Sequence, residues 1–345
     1  MHETAQIRLG KANATKSAGR SLVQSLYTTP LTILMRGPLG AGKTTFMQGF
    51  AAGLGIEQRI VSPSFALEQR YKTEHWGELL HLDLYRLSSA EARHLVESSE
   101  AHEGIRCIEW AEKLSGVEAQ HTIMLQFTEC NDLDERILAI TFADIALPTE
   151  DDISAWRQEV GLPKNIAVHC DTVGAFAAEL ASLLIRRGTV VRPLAVRRAG
   201  QLHDLMRFLD FHAGSQHLHC NATAEQRREW EKLRKRHNGV SHERAAEVFL
   251  HEHGYPAIAS IIASHGLKQP SPAPETIEQN VLFYADKRVM FDQVVSLQER
   301  FADFAERYGG GKESPQSRAW LQECQRIEKE LFPDGAPMSS HIPRR

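Results

Sequence analysis

Cysteine and excess charge of one sign are both scarce in this chain. Cysteine is rare, with five thiols in 345 residues at positions 107, 130, 170, 220 and 324, and no two of them form a C-x-x-C pair. An odd number of scattered cysteines favours reduced thiols over a disulfide framework. The formal net charge is only −4. Because no large basic field would attract phosphate at long range, tight direct binding of RNA is not expected.

Long apolar runs and targeting signals are lacking too. No run approaches the length that crosses a bilayer, and residues 1–5 have neither a basic start nor an apolar signal core. We therefore expect a cytoplasmic protein with no membrane partner. A content of 42% hydrophobic and 24% charged residues in 345 positions is that of an ordinary globular chain with room for two domains.

The spacing of apolar residues predicts two domains of different class. In residues 1–147, short β-like runs alternate with helical or turn-rich pieces, which predicts an α/β domain; the runs are 31–36, 78–85, 105–110, 122–127 and 136–142. Turn formers at 129–134 predict a hairpin and thus a mixed sheet. Residues 148–164 are a predicted linker, 165–331 keep a helical period that predicts an all-α domain, and 332–345 are a predicted flexible tail.

One motif in the first domain indicates a specific chemistry. Residues 37–44, Gly-Pro-Leu-Gly-Ala-Gly-Lys-Thr, satisfy the pattern G-x-x-x-x-G-K-[ST] and directly follow the apolar run 31–36. In such a loop the glycines turn backbone N–H groups towards a phosphate, the lysine supplies a charge, and the threonine hydroxyl can bind Mg²⁺. A chance glycine-rich turn is a poor explanation for a full match between a strand and a helix. The loop therefore predicts nucleotide binding.

Two carboxylates stand at the ends of predicted strands. Asp83 closes the run 79–83 and Glu109 closes the run 104–109. Open α/β sheets bind ligands at the carboxyl ends of their strands, where carboxylates can hold Mg²⁺ or orient water. Either residue alone could equally cap a helix or face solvent. Together with the phosphate loop they predict an ATPase site.

In order and spacing, the motifs of the first domain resemble the TsaE family over roughly residues 5–146. The resemblance rests on the phosphate loop, Val61-Ser62-Pro63-Ser64-Phe65, His81-Leu82-Asp83-Leu84-Tyr85-Arg86 and Ile108-Glu109-Trp110. That family consists of small bacterial ATPases that support synthesis of threonylcarbamoyladenosine in tRNA together with TsaB and TsaD. The resemblance implies ATP and Mg²⁺ as cofactors, TsaB-like and TsaD-like partners, and only indirect contact with tRNA.

The resemblance also implies roles for individual residues. Lys43 would bind phosphate, Thr44 would ligate Mg²⁺, and Asp83 and Glu109 would serve the metal and the attacking water. Residues 62–65 would be a switch-like segment, with Ser64 at a position where the family usually has threonine. The implied nucleotide-binding set is Gly37, Gly40, Ala41, Gly42, Lys43, Thr44 and Thr45.

A small-metabolite kinase is the rival interpretation of the first domain, because the same loop serves both reactions. Such a kinase needs a second substrate pocket and usually a lid that carries arginines. The sequence offers only Arg70, Arg86 and Arg93 as isolated candidates and shows no obvious lid insertion. We therefore rank the kinase below the ATPase.

The helical domain contains histidines and aspartates at or beside apolar helix faces. His169 continues with Val173, Phe176 and Leu180, and the isoleucines at 258, 261 and 262 lead into His265 at helical spacing. A single such histidine is usually a hydrogen-bonded core residue. Six groups together predict a metal centre: His169, His203, Asp204, His242, His265 and Asp286. These ligand types suit Mn, Fe or another divalent transition metal, which can activate water for attack on a phosphoester.

The order H…HD…H…H…D resembles the all-α HD-domain metal-dependent phosphohydrolases over about residues 165–308, and residues 280–287 resemble the segment with their last aspartate. By this resemblance His169, His203, Asp204 and Asp286 are the core ligands. His242 and His265 add a second metal site bridged by Asp204, which also has the catalytic role. The implied substrate is a nucleotide or another phosphoester. Two alternatives remain open: a non-catalytic docking module, or a nucleotide sensor that regulates the ATPase.

Overall fold

A computed structural model describes residues 2–114, 121–130, 135–211, 222–267, 274–309 and 314–335. The chain divides into two compact units. The first comprises Met1–Ala146 and Leu183–Arg192, and the second comprises Leu147–Ser182 and Pro193–Arg345. The predicted linker 148–164 is thus counted with the second unit, and a later segment, 183–192, is counted with the first.

The first unit contains a seven-stranded mixed sheet in the order β1-β7-β6-β2-β5-β4-β3. Strands β6, β2, β5 and β4 are parallel, whereas β1, β7 and β3 pair antiparallel with their neighbours. The strands are β1 (Glu3–Gly10), β2 (Leu31–Arg36), β3 (Glu68–Lys72), β4 (Glu78–Asp83), β5 (Ile105–Glu109), β6 (Thr122–Glu129) and β7 (Glu135–Phe142). The helices are α1 (Lys11–Val23), α2 (Lys43–Gly53) and α3 (Ser89–Ser98).

The mixed α/β fold and the antiparallel β6–β7 pair are as the sequence predicted; residues 131–134 of the predicted turn lie outside the described part of the chain. Strands β1 and β3 were not predicted. β1 alternates strictly between buried and exposed residues, and four of its eight residues are polar, including Glu3 on the buried face. β3 is an edge strand with one buried residue, Tyr71. Both strands depend on pairing with a distant partner strand.

Close backbone contact positions the helix that follows the phosphate loop. Helices α1 and α2 cross where Gly19 and Gly49 each face backbone of the other helix. A Cβ atom at Gly49 would lie 1.9 Å from the carbonyl oxygen of Lys16, and one at Gly19 would lie 2.2 Å from that of Phe46. Only glycine allows this approach. The crossing presses α2 into an apolar core that contains Phe46 and Phe50, and so fixes the start of α2 at Lys43.

The second unit is rich in helices. These are α4 (Glu150–Glu159), α5 (Lys164–Arg186), α6 (Pro193–Leu202), α7 (Ala224–Arg236), α8 (His242–Glu252), α9 (Pro256–Ala263), α10 (Ile277–Lys287), α11 (Leu297–Gly309) and α12 (Pro315–Leu331). The prediction of an all-α domain needs one correction, because two short strands, β8 (Val289–Met290) and β9 (Gln293–Val294), form a hairpin. The predicted tail begins with Phe332, which is buried against Tyr284; residues 336–345 lie outside the described residues.

Helix α5 bears on the expected absence of a membrane-spanning segment. It is the one helix in the described ranges that is long and apolar enough, by length and composition alone, to cross a membrane. The sequence contains no unbroken apolar run there because Asp171 and Glu179 interrupt it. Half of the apolar window is buried within the protein, which is also what a core helix shows. The length of α5 is therefore weak grounds for a membrane span.

Candidate functional sites

The phosphate loop lies between the central strand β2 and helix α2. Three of its glycines adopt positive φ angles: 139° at Gly37, 83° at Gly40 and 103° at Gly42. A Cβ atom at Gly37 would also lie 2.6 Å from the carbonyl oxygen of Phe127. These backbone conformations are accessible to glycine and rarely to other residues. The backbone of this loop thus favours glycine at positions 37, 40 and 42, where the sequence has it.

Lys43 is the buried cation of the loop. Its Nζ donates to the carbonyl oxygens of Gly37 at 2.6 Å and Pro38 at 2.9 Å. The same atom lies 3.9 Å from the ring centroid of Trp110. Burial lowers the pKa of Lys43, although nearby carboxylates, Glu109 first among them, act in the opposite direction. The lysine is therefore held inside the loop with few water contacts.

Thr44, Glu109 and His81 form a connected group at the carboxyl ends of the strands. The Thr44 hydroxyl donates to Glu109 at 3.1 Å from Oε1, and His81 Nε2 donates to the same carboxylate oxygen at 3.0 Å. His81 is fully buried, and its Nδ1 has no hydrogen-bond partner among the described residues. His81 was not among the predicted site residues. Its signal in the sequence is its place in the motif 81–86, two residues before Asp83 on the same strand.

Asp83 lies beside Glu109 because β4 and β5 pair in parallel with these two residues in register. Its Oδ2 accepts hydrogen bonds from the hydroxyls of Ser62 and Ser64, the latter at 2.6 Å, and Tyr85 N donates to Oδ1 at 2.8 Å. Asp83 is thus linked directly to the segment that was predicted to be switch-like. The structure brings together all the predicted nucleotide-site residues, with Lys43 and Thr44 at the start of α2, Thr45 next to them, and the acids on adjacent strands.

The helical unit gathers its ligand-type residues from separate elements. His169 lies on α5, His203 and Asp204 follow α6, His242 begins α8, His265 follows α9, and Asp286 lies near the end of α10. Three groups have ligand atoms within 4.8 Å of one another: His169, His203 and Asp286; His203, Asp204 and His265; and His242, Glu243 and His265. All six predicted residues are included, and Glu243 is added to them.

Two carboxylates lie among the histidine rings. Asp204 Oδ1 is 3.1 Å from His242 Nε2 and 3.7 Å from His265 Nε2, and Asp204 Oδ2 is 3.7 Å from His203 Nε2. Asp286 Oδ1 is 3.2 Å from His169 Nε2 and 3.5 Å from His203 Nε2. Asp204 therefore faces three histidines.

The other ring nitrogens are held by groups outside the cluster. His169 Nδ1 donates to Phe291 O at 3.0 Å, His203 Nδ1 to Gly200 O at 2.7 Å, and His265 Nδ1 to Ile262 O at 2.5 Å. His242 Nδ1 donates to the carboxylate of Asp210 at 2.8 Å. Such bonds fix the tautomer and leave Nε2 as the ligating atom. The buried Nε2 atoms of His203 and His265 have no hydrogen-bond partner among the described residues, so the donor set fits a divalent metal.

The electrostatics of the cluster keep its carboxylates ionised. Burial acts to raise the pKa of Asp204, but the charges of His203 and Arg207 hold it well below its usual range. Burial likewise acts to raise the pKa of Asp286, and the ammonium group of Lys287 outweighs it. Lys287 Nζ contacts Asp286 Oδ2 and donates to His265 O at 2.8 Å. Lys287 was not among the predicted site residues, and it supplies a cation beside Asp286.

A cavity of about 490 Å³ opens over this cluster. Its lining includes five of the six predicted residues, all except His203, which lies behind them. The remainder of the lining contains the carboxylates Asp210 and Glu243 together with cationic and aromatic residues, among them Arg207, Lys287, Phe291, Arg300, Phe304 and Trp320. The arrangement combines ionised carboxylates, histidine rings, positive charge and a cavity of ligand size. Chemically it can bind a phosphoester beside a divalent metal.

Comparison with known proteins separates the same two regions. Residues 9–137 match the family described as "Threonylcarbamoyl adenosine biosynthesis protein TsaE", and residues 166–290 match the HD domain. The curated "tRNA threonylcarbamoyladenosine biosynthesis protein TsaE" of Synechocystis sp. is 41% identical over 113 residues, or 31% of this chain and 71% of that protein. The protein of the same name from Nostoc sp. is 43% identical over 114 residues, or 32% of this chain and 69% of that protein.

The Bacillus subtilis TsaE protein is 30% identical over 138 residues, which cover 39% of this chain and 85% of that protein. Among solved structures, the crystal structure of Bacillus subtilis YdiB is 27% identical, covers 41% of this chain and 88% of that chain, and has a TM-score of 0.35. With this sequence agreement over most of the length of several relatives, the chain belongs to the TsaE family through its N-terminal region, and the helical region that follows matches the HD domain.

Proposed function

We propose that the protein is bifunctional. Its first unit is an ATPase that supports threonylcarbamoyladenosine modification of tRNA, and its helical unit is a metal-dependent phosphohydrolase that acts on a nucleotide or another phosphoester. The observation that carries the first part is the Lys43, Thr44, Glu109 and Asp83 arrangement in a chain similar to proteins named for that pathway. TsaB-like and TsaD-like partners and a cytoplasmic location belong to the same proposal.

In the proposed ATPase site, Lys43 exchanges its contacts with Gly37 O and Pro38 O for phosphate oxygens. Thr44 and Glu109, whose side chains face each other at 3.1 Å, would hold the Mg²⁺ ion that accompanies ATP. Asp83 orients water or the metal and connects the site to Ser62 and Ser64. ATP binding would thereby alter the conformation of the 62–65 segment, and hydrolysis would reset it.

The rival kinase receives less support from the described residues. Arg70, one of its candidate lid arginines, is paired with Glu68 at 3.2 Å on the edge strand β3 and with Glu78 at 2.9 Å on the adjacent strand β4. Arg86 stacks on the exposed ring of Phe65, with its Cζ 4.0 Å from the ring centroid. Neither contact directs an arginine at Lys43. We therefore keep the ATPase as the proposal for this unit.

For the helical unit, the carrying observation is the ligand geometry around Asp204 and Asp286. A divalent metal bound there would supply a Lewis acid and lower the pKa of water at neutral pH. Asp204 and Asp286 are held ionised for ligation, and the Nε2 atoms of the histidines face inward. Arg207 and Lys287 place positive charge at the cavity wall, where the phosphoryl group would develop negative charge.

One experiment tests both parts of the proposal. Phosphate release is measured from ATP, other nucleotides, cyclic nucleotides and simple phosphomonoesters with Mg²⁺ or Mn²⁺, for the wild type, Lys43→Ala and Asp204→Ala. We expect ATP turnover by the first unit to disappear in Lys43→Ala, and a second turnover to survive in that variant but to fall at least ~100-fold in Asp204→Ala. Circular dichroism confirms that both variants are folded.

The alternatives give different results in the same assay. If no substrate shows turnover that depends on Asp204, the helical unit is a sensor or scaffold whose metals stabilise the fold. If phosphate passes from ATP to a small molecule instead of water, the first unit is a kinase. Stimulation of ATP turnover by TsaB-like and TsaD-like proteins would support the tRNA-modification role, and its absence would count against that role.

A further inference from the structure

The cavity over the metal-ligand cluster has a wall that lies beyond the HD match. The match ends at residue 290. The cavity lining continues with Phe291, with residues of α11, and with Ser314, Ser317 and Trp320 at the beginning of α12. The ligand cluster and this wall, which we call the C-terminal wall, therefore face the same space of about 490 Å³. Volumes of this order accommodate small-molecule ligands.

Aromatic rings are concentrated in the C-terminal wall. Phe291 stands in the turn of the β8–β9 hairpin with a positive φ of 58°, and its ring is 60% exposed. Its carbonyl oxygen accepts the hydrogen bond from His169 Nδ1 at 3.0 Å. Phe304 and Trp320 line the same cavity from α11 and α12. Phe304 and Trp320 are half-buried. One exposed ring and two half-buried rings beside a cluster of polar side chains indicate a surface that a ligand covers.

The positive charges of the C-terminal wall lie on planar guanidinium groups. The guanidinium of Arg300 lies 4.2 Å from the ring centroid of Phe304, and that of Arg307 lies 4.7 Å from the ring centroid of Phe291. Both arginines pair with Asp303, Arg300 at 3.2 Å and Arg307 at 2.6 Å from Nε. Two guanidinium groups share this one carboxylate. The wall thus offers planar aromatic and planar cationic surfaces, both of which stack on flat rings.

We propose that the C-terminal wall is the leaving-group subsite of the HD site and selects phosphoesters whose leaving group carries a flat aromatic ring, as a nucleotide does. Phe304 and Trp320 are the specificity-determining residues. The inference rests on the proposed hydrolase function: water oxygen bonds to phosphorus at the ligand cluster, the bond from phosphorus to the nucleoside oxygen breaks, and a water proton ends on that oxygen. The base remains against the rings of the wall.

Binding of non-hydrolysable probes tests the inference on the full chain. Lys43→Ala removes nucleotide binding at the phosphate loop, and this variant is titrated calorimetrically with Mn²⁺ and the phosphonate analogue of adenosine monophosphate or of ribose 5-phosphate. We expect the adenosine probe to bind more tightly. Adding Trp320→Leu or Phe304→Leu should weaken the adenosine probe by ~5- to 150-fold, the range of stacking on one base, and change the ribose probe less than about twofold.

Gln322→Ala supplies the matched control, since Gln322 is exposed on α12 and does not line the cavity. Equal affinities for the two probes, no binding of either probe, or equal weakening of both in the wall variants would overturn the inference. Failure of the hydrolase proposal can be distinguished from failure of this inference. If the adenosine probe binds as expected but no phosphoester is hydrolysed in an Asp204-dependent manner, the C-terminal wall recognises the ring and the helical unit is not a hydrolase.

Discussion

At the residue scale, the proposed nucleotide site contains a buried histidine, His81, beside its motif residues. His81 and Thr44 both bond to the Glu109 carboxylate, and His81 has no exposed surface. A carboxylate that serves Mg²⁺ or water must be held in one orientation. We therefore regard His81 as a positioning residue that acts through Glu109.

The prediction for His81 concerns turnover rather than ATP affinity. His81→Ala should lower kcat for ATP hydrolysis about 10-fold and leave KM within about twofold, because the lost bond orients Glu109 and does not touch the triphosphate. His81→Gln, which keeps a side-chain donor, should recover part of the loss. His75→Ala is the control, since that side chain is 78% exposed. An unchanged kcat in a folded His81→Ala protein would show that Glu109 needs no such support.

The site residues that the sequence predicted lie in motifs or at strand ends, whereas those that it missed are identified by contacts with residues far away in the sequence. The loop 37–44 is contiguous, and the register of β4 with β5 brings Asp83 and Glu109 together. His81 and Lys287 become informative only through contacts made in the folded structure, such as Lys287 Nζ to the carbonyl of His265, 22 positions away. Asp210 is 32 positions from His242. The spacing of residues along the chain therefore does not predict these contacts.

At the element scale, one helix crossing determines the geometry of the metal-ligand cluster. Helices α5 and α6 meet where a Cβ atom at Gly200 would lie 2.5 Å from Gly174 Cα, and one at Gly174 would lie 2.7 Å from Arg197 O. His169 precedes this crossing by just over one turn on α5, and His203 follows it on the other side. The glycines thus allow the approach that brings two ligands to one carboxylate, Asp286.

Gly200→Ala should therefore destabilise the helical unit by about 1–3 kcal/mol, as overpacking does, and weaken Mn²⁺ binding. Backbone lies on the far side of the contact, so the clash cannot be relieved by a side-chain rotation. Thermal unfolding with and without Mn²⁺ measures both effects. Gly10→Ala is the control, because Gly10 has no atom within 4 Å of its Cβ position and a negative φ. Equal behaviour of the two variants would contradict the crossing argument.

At the scale of the whole molecule, the first unit is discontinuous in sequence. Residues 183–192 belong to the first unit, although residues 147–182, which precede them in the sequence, belong to the second unit. Val190 joins its apolar core, and Arg192 is fully buried. The Arg192 guanidinium bonds to both oxygens of Asp144, at 2.8 and 2.7 Å, and to the carbonyl of Ser25. The predicted boundary at residue 147 follows the change of apolar period, and it therefore leaves out residues 183–192.

Removing one partner of this buried pair should leave an uncompensated charge. Arg192→Met should lower the stability of the first unit by about 3–5 kcal/mol, seen as an earlier unfolding transition that MgATP still shifts upward. The double variant Arg192→Met with Asp144→Leu should recover most of that loss, because no charge remains buried. Arg186→Ala, at an exposed position on the same segment, should change little. If the single variant costs less than ~1 kcal/mol, or the double variant recovers nothing, the pair does not hold residues 183–192 in the first unit.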